Sequence, residues 1–192
     1  MIAPGYALHV PTVVIPFADE GKTRLHASPA VRRVLSDAML ADVVAACETV
    51  GTVQIVTTAG GQGSAVAAAL TDLEPGRPLL VVNADVPCAT PDDVRTLLAR
   101  TPVGGVALVE AEDGTTNALS LPGPEAFAQL YGAGSADRFR AHFAQAGLEY
   151  VTVRLANLVD DVDTLRDLQR LLLRCGARTR ESFERIPVEA PA

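Results

Sequence analysis

The stretch Leu79-Leu80-Val81-Val82-Asn83-Ala84-Asp85-Val86-Pro87 decides the fold. Four consecutive apolar residues predict a strand buried on both faces, the pattern of a central parallel strand. Pro87 lacks an N–H and cannot extend a ladder, so the chain has to turn there. Asp85 is thereby placed at the C-terminal edge of a central strand, the edge where open α/β sheets bind ligands. A short carboxylate at that edge suits a hard cation such as Mg²⁺. The competing role, capping the next helix, has a better candidate. Thr90-Pro91-Asp92-Asp93 supplies an N-cap, a proline at the first helical position and acids in the first turn.

Outward from that strand the chain alternates. Thr12 to Phe17 reads as a strand, followed by a polar loop from Ala18 to Ser28. Val31 to Val50 has helical spacing, with Val31, Val34, Leu35, Ala38, Met39, Val43 and Val44 on one face. Val53 to Thr58 is a second strand. Ser64 to Leu73 is a helix with Ser64 as its cap, and Pro91 to Arg100 another. The pattern then changes. Val106 to Glu110 and Ala118 to Leu121 are strands around the turn Glu112-Asp113-Gly114. Helices are expected over Pro124 to Tyr131 and over Ser135 to Ala146, the latter closed by Gly147. A strand over Tyr150 to Leu155 leads to Asp160-Asp161-Val162-Asp163-Thr164 and a helix over Leu165 to Cys175. Alternation of this kind predicts a parallel, right-handed α/β sheet. With no linker or repeat, residues 1–192 read as one domain, with a core over about 12–175. Residues 187–192 are expected to be a loose tail.

Of the 192 residues, 48% are hydrophobic and the formal net charge is −7. No Lys/Arg cluster stands out, which argues against a nucleic-acid partner. No apolar run is long enough for a bilayer. Met1 to His9 has no basic n-region, so no secretory signal is expected. Cys47, Cys88 and Cys175 are scattered, without metal-ligand spacing or a disulfide framework, which fits a reducing cytoplasm.

Three polar clusters can carry chemistry. Gly21-Lys22-Thr23-Arg24 brings two cations and a flexible backbone to the loop after the first strand, as a polyphosphate requires; it lacks the spacing of a P-loop. A solvated basic loop is the plain alternative. Asp85, Asp161 and Asp163 form the second cluster. Asp161 and Asp163 flank one residue and face the same way in extended chain. One or two Mg²⁺ between such acids would neutralise phosphates. The alternative is capping of the next helix by Asp163 or Thr164. The third cluster, Gly132-Ala133-Gly134-Ser135, opens a helix with Ser135 as expected cap and Arg138 one turn in. Backbone N–H groups there suit a small anion. A simple connection is the competing reading.

Read together, Lys22-Thr23-Arg24-Leu25, Ala38 to Val43, Asn83 to Pro87, Gly114 to Leu119, Tyr131 to Ser135 and Asp161 to Thr164 follow one order. That order resembles the CofC/FbiD family, the 2-phospho-L-lactate or phosphoenolpyruvate guanylyltransferases of coenzyme F-420 biosynthesis. The resemblance runs from about Val13 to Leu168. It implies a three-layer α/β/α, glycosyltransferase-A-like and Rossmann-like nucleotidyltransferase fold, akin to MobA, with a mixed, mostly parallel sheet. It also implies GTP, Mg²⁺ and a small phosphorylated acid. Carried over by motif, Asp85, Asp161 and Asp163 resemble the metal-binding acids. Thr116, Gly132 and Ser135 resemble contacts to the acid substrate, and Lys22 and Arg24 contacts to the GTP phosphates. Pro16-Phe17 stands where members usually carry a Lys, and Arg138-Phe139 replaces an Arg-His pair. The segment from Ala59 to Pro78 is shorter than usual and lacks an Asn-Ala-Ala run. Two other readings stay open: a nucleotidyltransferase for a molybdopterin-type cofactor, and a non-catalytic nucleotide-binding relative.

Overall fold

The chain builds a six-stranded mixed sheet. The computed structural model describes residues 10–18, 23–57 and 60–186. The strands are β1 (Thr12–Pro16), β2 (Thr52–Val56), β3 (Leu79–Val82), β4 (Val106–Glu110), β5 (Thr116–Leu121) and β6 (Tyr150–Thr152), in the order β2-β1-β3-β5-β4-β6. β1 pairs in parallel with β2 and β3, and β4 with β6. β5 alone is reversed, antiparallel to β3 and β4. The sheet is therefore mixed and mostly parallel, with β3 near its centre and all four of its residues buried.

Alternation along the strands creates two apolar faces. Val13, Ile15, Leu80, Val82, Ala107, Val109 and Ala118 pack against helices α1 (Pro29–Cys47), α3 (Pro91–Arg100) and α5 (Ala156–Val159). Val14, Leu79, Val81, Val106, Leu108, Leu119 and Leu121 pack against α2 (Gln62–Leu70) and α4 (Ser135–Gln145). The result is three layers, α/β/α. A further cluster of Leu25, Leu35, Met39, Cys88, Val162, Leu168, Leu171 and Cys175 lies under α6 (Leu165–Leu171) and α7 (Ala177–Glu184). No helix among the described residues is long and apolar enough to cross a membrane.

Local differences from the sequence reading have local causes. α2 starts at Gln62, two residues early, because Gly61 at φ 91° turns the chain in; Ser64 bonds Gln129 instead of capping. The helix expected over 124–131 is one 3-10 turn, Pro124–Ala126. Phe127 is extended there, and with Tyr131 it packs on Phe139. Val34, expected on the buried face of α1, is 50% exposed. The late strand stops at Thr152, since Leu155 already caps α5. α6 ends at Leu171, and Gly176 starts α7. Gly21, Lys22 and the tail from Pro187 onward lie outside the described residues.

Candidate active site

β1 and β3 end, and the reversed β5 begins, at one edge of the sheet. Asp85 follows β3 at this edge. Its carbonyl accepts a 2.9 Å hydrogen bond from the Val162 N–H, which draws the late acidic segment alongside. Carboxylate oxygens of Asp85, Asp161 and Asp163 consequently lie within 4.8 Å of one another, each residue half-buried. Capping falls to neighbours of the three acids, to Thr90 at α3 and, as the alternative reading of the late segment had it, to Thr164 at α6. Thr90 and Asp93 form a reciprocal capping box at α3. Thr164 and Asp167 do the same at α6. The remaining acid, Asp160, is held away by Arg170 at 3.0 Å and Arg174 at 2.7 Å. Burial tends to raise its pKa, but these two guanidinium groups outweigh that and hold it below the usual carboxylate value.

The donor set fits a hard divalent cation. All three groups are carboxylate oxygens, the ligands of Mg²⁺ and Mn²⁺, and there is no imidazole or thiolate among them.

The basic loop reaches this cluster. Buried Leu25 anchors the 3-10 turn Thr23–Leu25, and Arg24 Nη1 lies 3.0 Å from Asp163 Oδ2. The Arg24 side chain is 72% exposed, and an ion pair so wet holds its partners weakly. Its guanidinium can therefore turn to an incoming anion at small cost. Lys22 lies outside the described residues. Beside the pair is a cavity of about 280 Å³, framed by the ends of β1 and β3, by Ser36 and Met39 of α1, and by the start of α2. Arg24, Gln62, Asn83, Asp85 and Asp163 line it.

The glycine loop differs from the sequence reading. Gly134, at φ 68°, is the cap of α4, and Ser135 is its first helical residue, fully buried. Its hydroxyl turns inward to the Thr116 hydroxyl at 3.1 Å. The Ser135 N–H is spent on the Gly132 carbonyl and the Ala136 N–H on the Gly114 carbonyl. The expected anion site therefore loses two backbone donors. Arg138 differs too. Its guanidinium donates to the carbonyls of Leu130, Tyr131 and Ala133 and so clamps its own loop. Thr116, Gly132, Gly134 and Ser135 meet at the β5 side of the edge and do not line the cavity. His26 is exposed and His142 bonds the Ala126 carbonyl, away from the acids.

Sequence reasoning missed three amides. Gln62 Nε2 bonds Asn83 Oδ1. Asn83 Nδ2 donates to the Thr116 carbonyl at 3.1 Å and to Asn117 Oδ1 at 3.3 Å. Asn117, 1% exposed, donates to the carbonyls of Leu158 and Val159 at 3.0 and 3.1 Å. An Asn directly ahead of the strand expected over Ala118 to Leu121 was the available signal, because an amide buried at a strand end has to find partners.

Residues 19–158 match the MobA-like NTP transferase domain. A 2-phospho-L-lactate guanylyltransferase of Natrialba magadii is 34% identical over 196 aligned positions, covering 84% of this chain and 83% of that protein. A phosphoenolpyruvate guanylyltransferase of Roseiflexus castenholzii is 33% identical over 175, covering 80% and 82%. One from Sphaerobacter thermophilus is 39% identical over 94 residues, 48% of this chain and 45% of that protein, so the match spans about half of either length. Among solved structures, a protein named as a nucleotide-diphospho-sugar transferase, from Desulfovibrio desulfuricans G20, superposes with TM-score 0.72 at 15% identity, over 91% of this chain and 94% of that one. That likeness supports the fold.

Proposed function

Because this chain belongs to the MobA-like NTP transferases, and within them to the 2-phospho-L-lactate and phosphoenolpyruvate guanylyltransferases, we propose that it joins the GMP moiety of GTP to one of those two phospho-acids and releases pyrophosphate. The observation that carries the reading is the convergence of Asp85, Asp161 and Asp163 beside a cavity at the ligand-binding edge of the sheet. In this reading Asp85, Asp161 and Asp163 hold Mg²⁺. A cation held there would supply charge neutralisation for the phosphates during transfer.

The remaining work falls to positioning. The acceptor's phosphate monoester is largely dianionic near neutral pH, its second pKa being about 6, so its oxygen attacks the α-phosphorus without a general base. Arg24 exchanges Asp163 for the triphosphate, and Lys22 joins it from the same loop. Cavity walls at Ser36, Met39 and Gln62 take the nucleoside. The loop Gly132 to Gly134 faces the acid substrate, the buried hydroxyl pair of Thr116 and Ser135 braces it from behind, and Arg138 keeps it in shape. Holding two anions in line supplies most of the rate, as in other phosphoryl and nucleotidyl transfers.

Pyrophosphate release measured with GTP, ATP and CTP against phosphoenolpyruvate and 2-phospho-L-lactate tests the proposal. Turnover with GTP and one of the two acids is expected. Turnover with neither acid, whether a pterin-type acceptor run in parallel supports release or nucleotide binds without any pyrophosphate, overturns it.

A further inference from the structure

The three amides form a one-way chain whose direction is forced from its far end. Asn117 faces two carbonyls, those of Leu158 and Val159, so its NH₂ has to point there. Its oxygen is then left to accept from Asn83, whose other amide hydrogen goes to the Thr116 carbonyl. The Asn83 oxygen in turn accepts from Gln62, which lines the cavity. The backbone adds a fourth tie, Asn83 N–H to the Asn117 carbonyl at 2.9 Å.

Each end of this chain stands next to a part of the site. Asn83 is two residues before Asp85. The carbonyls that Asn117 holds are the last two of α5, directly ahead of the segment carrying Asp161 and Asp163. Gln62 opens α2 at the cavity. Of the four elements joined, β3 and α5 end here while β5 and α2 begin, and only β3 and β5 share a ladder.

We infer that Asn83 and Asn117 are positioning residues that set the separation between Asp85 and the Asp161/Asp163 pair, and so tune the affinity of the site for its divalent cation. The inference rests on reading those acids as the metal holders. Both residues donate their amide hydrogens to carbonyls and, from Asn83, to Asn117, not to the three carboxylates. They act by fixing the backbone on which the ligands ride, as outer partners of metal ligands generally do. Being neutral, they do so without adding charge beside three carboxylates.

The test is Mn²⁺ binding to the metal-free, nucleotide-free chain, followed by calorimetry, for the unchanged protein, Asn83→Ala, Asn117→Ala and Asp85→Asn. Thermal melts run alongside. Weakening of Mn²⁺ affinity by about 10- to 100-fold is expected in either folded Asn variant. Asn83→Ala is the milder change, since it leaves Asn117 on its two carbonyls, and it carries the test if Asn117→Ala does not fold. Unchanged Mn²⁺ affinity in a folded Asn variant overturns the inference while leaving the metal reading intact. Equal binding by Asp85→Asn and the unchanged protein overturns the metal reading itself, and the inference with it. Loss of fold in both Asn variants makes the network structural and also overturns the inference.

Discussion

Replacing Asp42 with Ala should loosen the C-terminal helix more than any surface change could. Asp42 sits on α1, 8% exposed, and its two carboxylate oxygens accept from the Arg178 N–H at 3.2 Å and the Thr179 N–H at 2.8 Å. It therefore caps α7 from another helix, where no side chain of α7 itself does so. The approach is so close that a Cβ on Gly176 would lie 2.2 Å from Asp42 Cγ. A hydrogen bond to a charged group contributes about 1.5–3 kcal/mol, and the buried N–H groups left behind add to the cost. Two such bonds give about 3 kcal/mol at the low end. At about 2–4 °C per kcal/mol for a chain of this size, Tm should fall by roughly 6–12 °C. Asp42→Asn keeps one acceptor and should lose about half as much. A thermal melt gives the totals, and hydrogen exchange at Arg178 and Thr179 locates them. A fall under about 2 °C in Asp42→Ala, with those amides still protected, would refute the cap as the anchor of α7.

Asp85→Asn should abolish Mg²⁺-dependent pyrophosphate release while the melt stays cooperative; near-normal turnover with unchanged Mg²⁺ dependence contradicts its role. Arg24→Ala should raise the KM for GTP by roughly tenfold, the loss of one charge-assisted contact, and change that for the phospho-acid much less. Equal rises for both substrates count against a phosphate role. Asp160, depressed in the folded state by Arg174 and Arg170 against the effect of burial, contributes stability that is present above its unfolded value of about 3.9 and lost as pH falls through the lower folded value. Melts across that acid range should therefore be less steep in pH for Asp160→Asn, and an identical slope would show that the pair contributes nothing.

What the sequence disclosed was local. The run Leu79 to Val82 and the stop at Pro87 announce a buried strand and a turn with no help from the rest of the chain. Thr90 with Asp93 advertises a helix start in the same way. The fold follows from a few such signals, because alternating strands and helices leave little choice of layers. The acid cluster was partly legible. Asp85 could be placed at a strand edge and grouped with Asp161 and Asp163, yet the backbone bond from Val162 to Asp85 that draws the segments together leaves no mark in either of them. Ser135 shows the opposite failure. A Ser after Gly reads as a cap, but a left-handed Gly134 caps the helix and frees the hydroxyl to turn inward. Arg138 carried a charge that suggested an anion, and the carbonyls of its own loop take it. Asn83, Asn117 and Gln62 carry neither charge nor periodicity, so only their three-dimensional partners reveal them.

The reversal of β5 divides the edge into two territories with separate chain origins. Apart from Asp163, the cavity side is assembled from the first half of the chain, from β1, the turn at Arg24, α1, α2 and β3. The side proposed for the acid substrate is made from the hairpin between β4 and β5 and the loop ahead of α4, both from the second half. Had β5 run with its neighbours, Thr116 would begin at the opposite rim. Under the proposed function, inserting one strand backwards puts the acceptor contacts on one hairpin and one loop, so substitutions there should alter acceptor choice while leaving the nucleotide side in place.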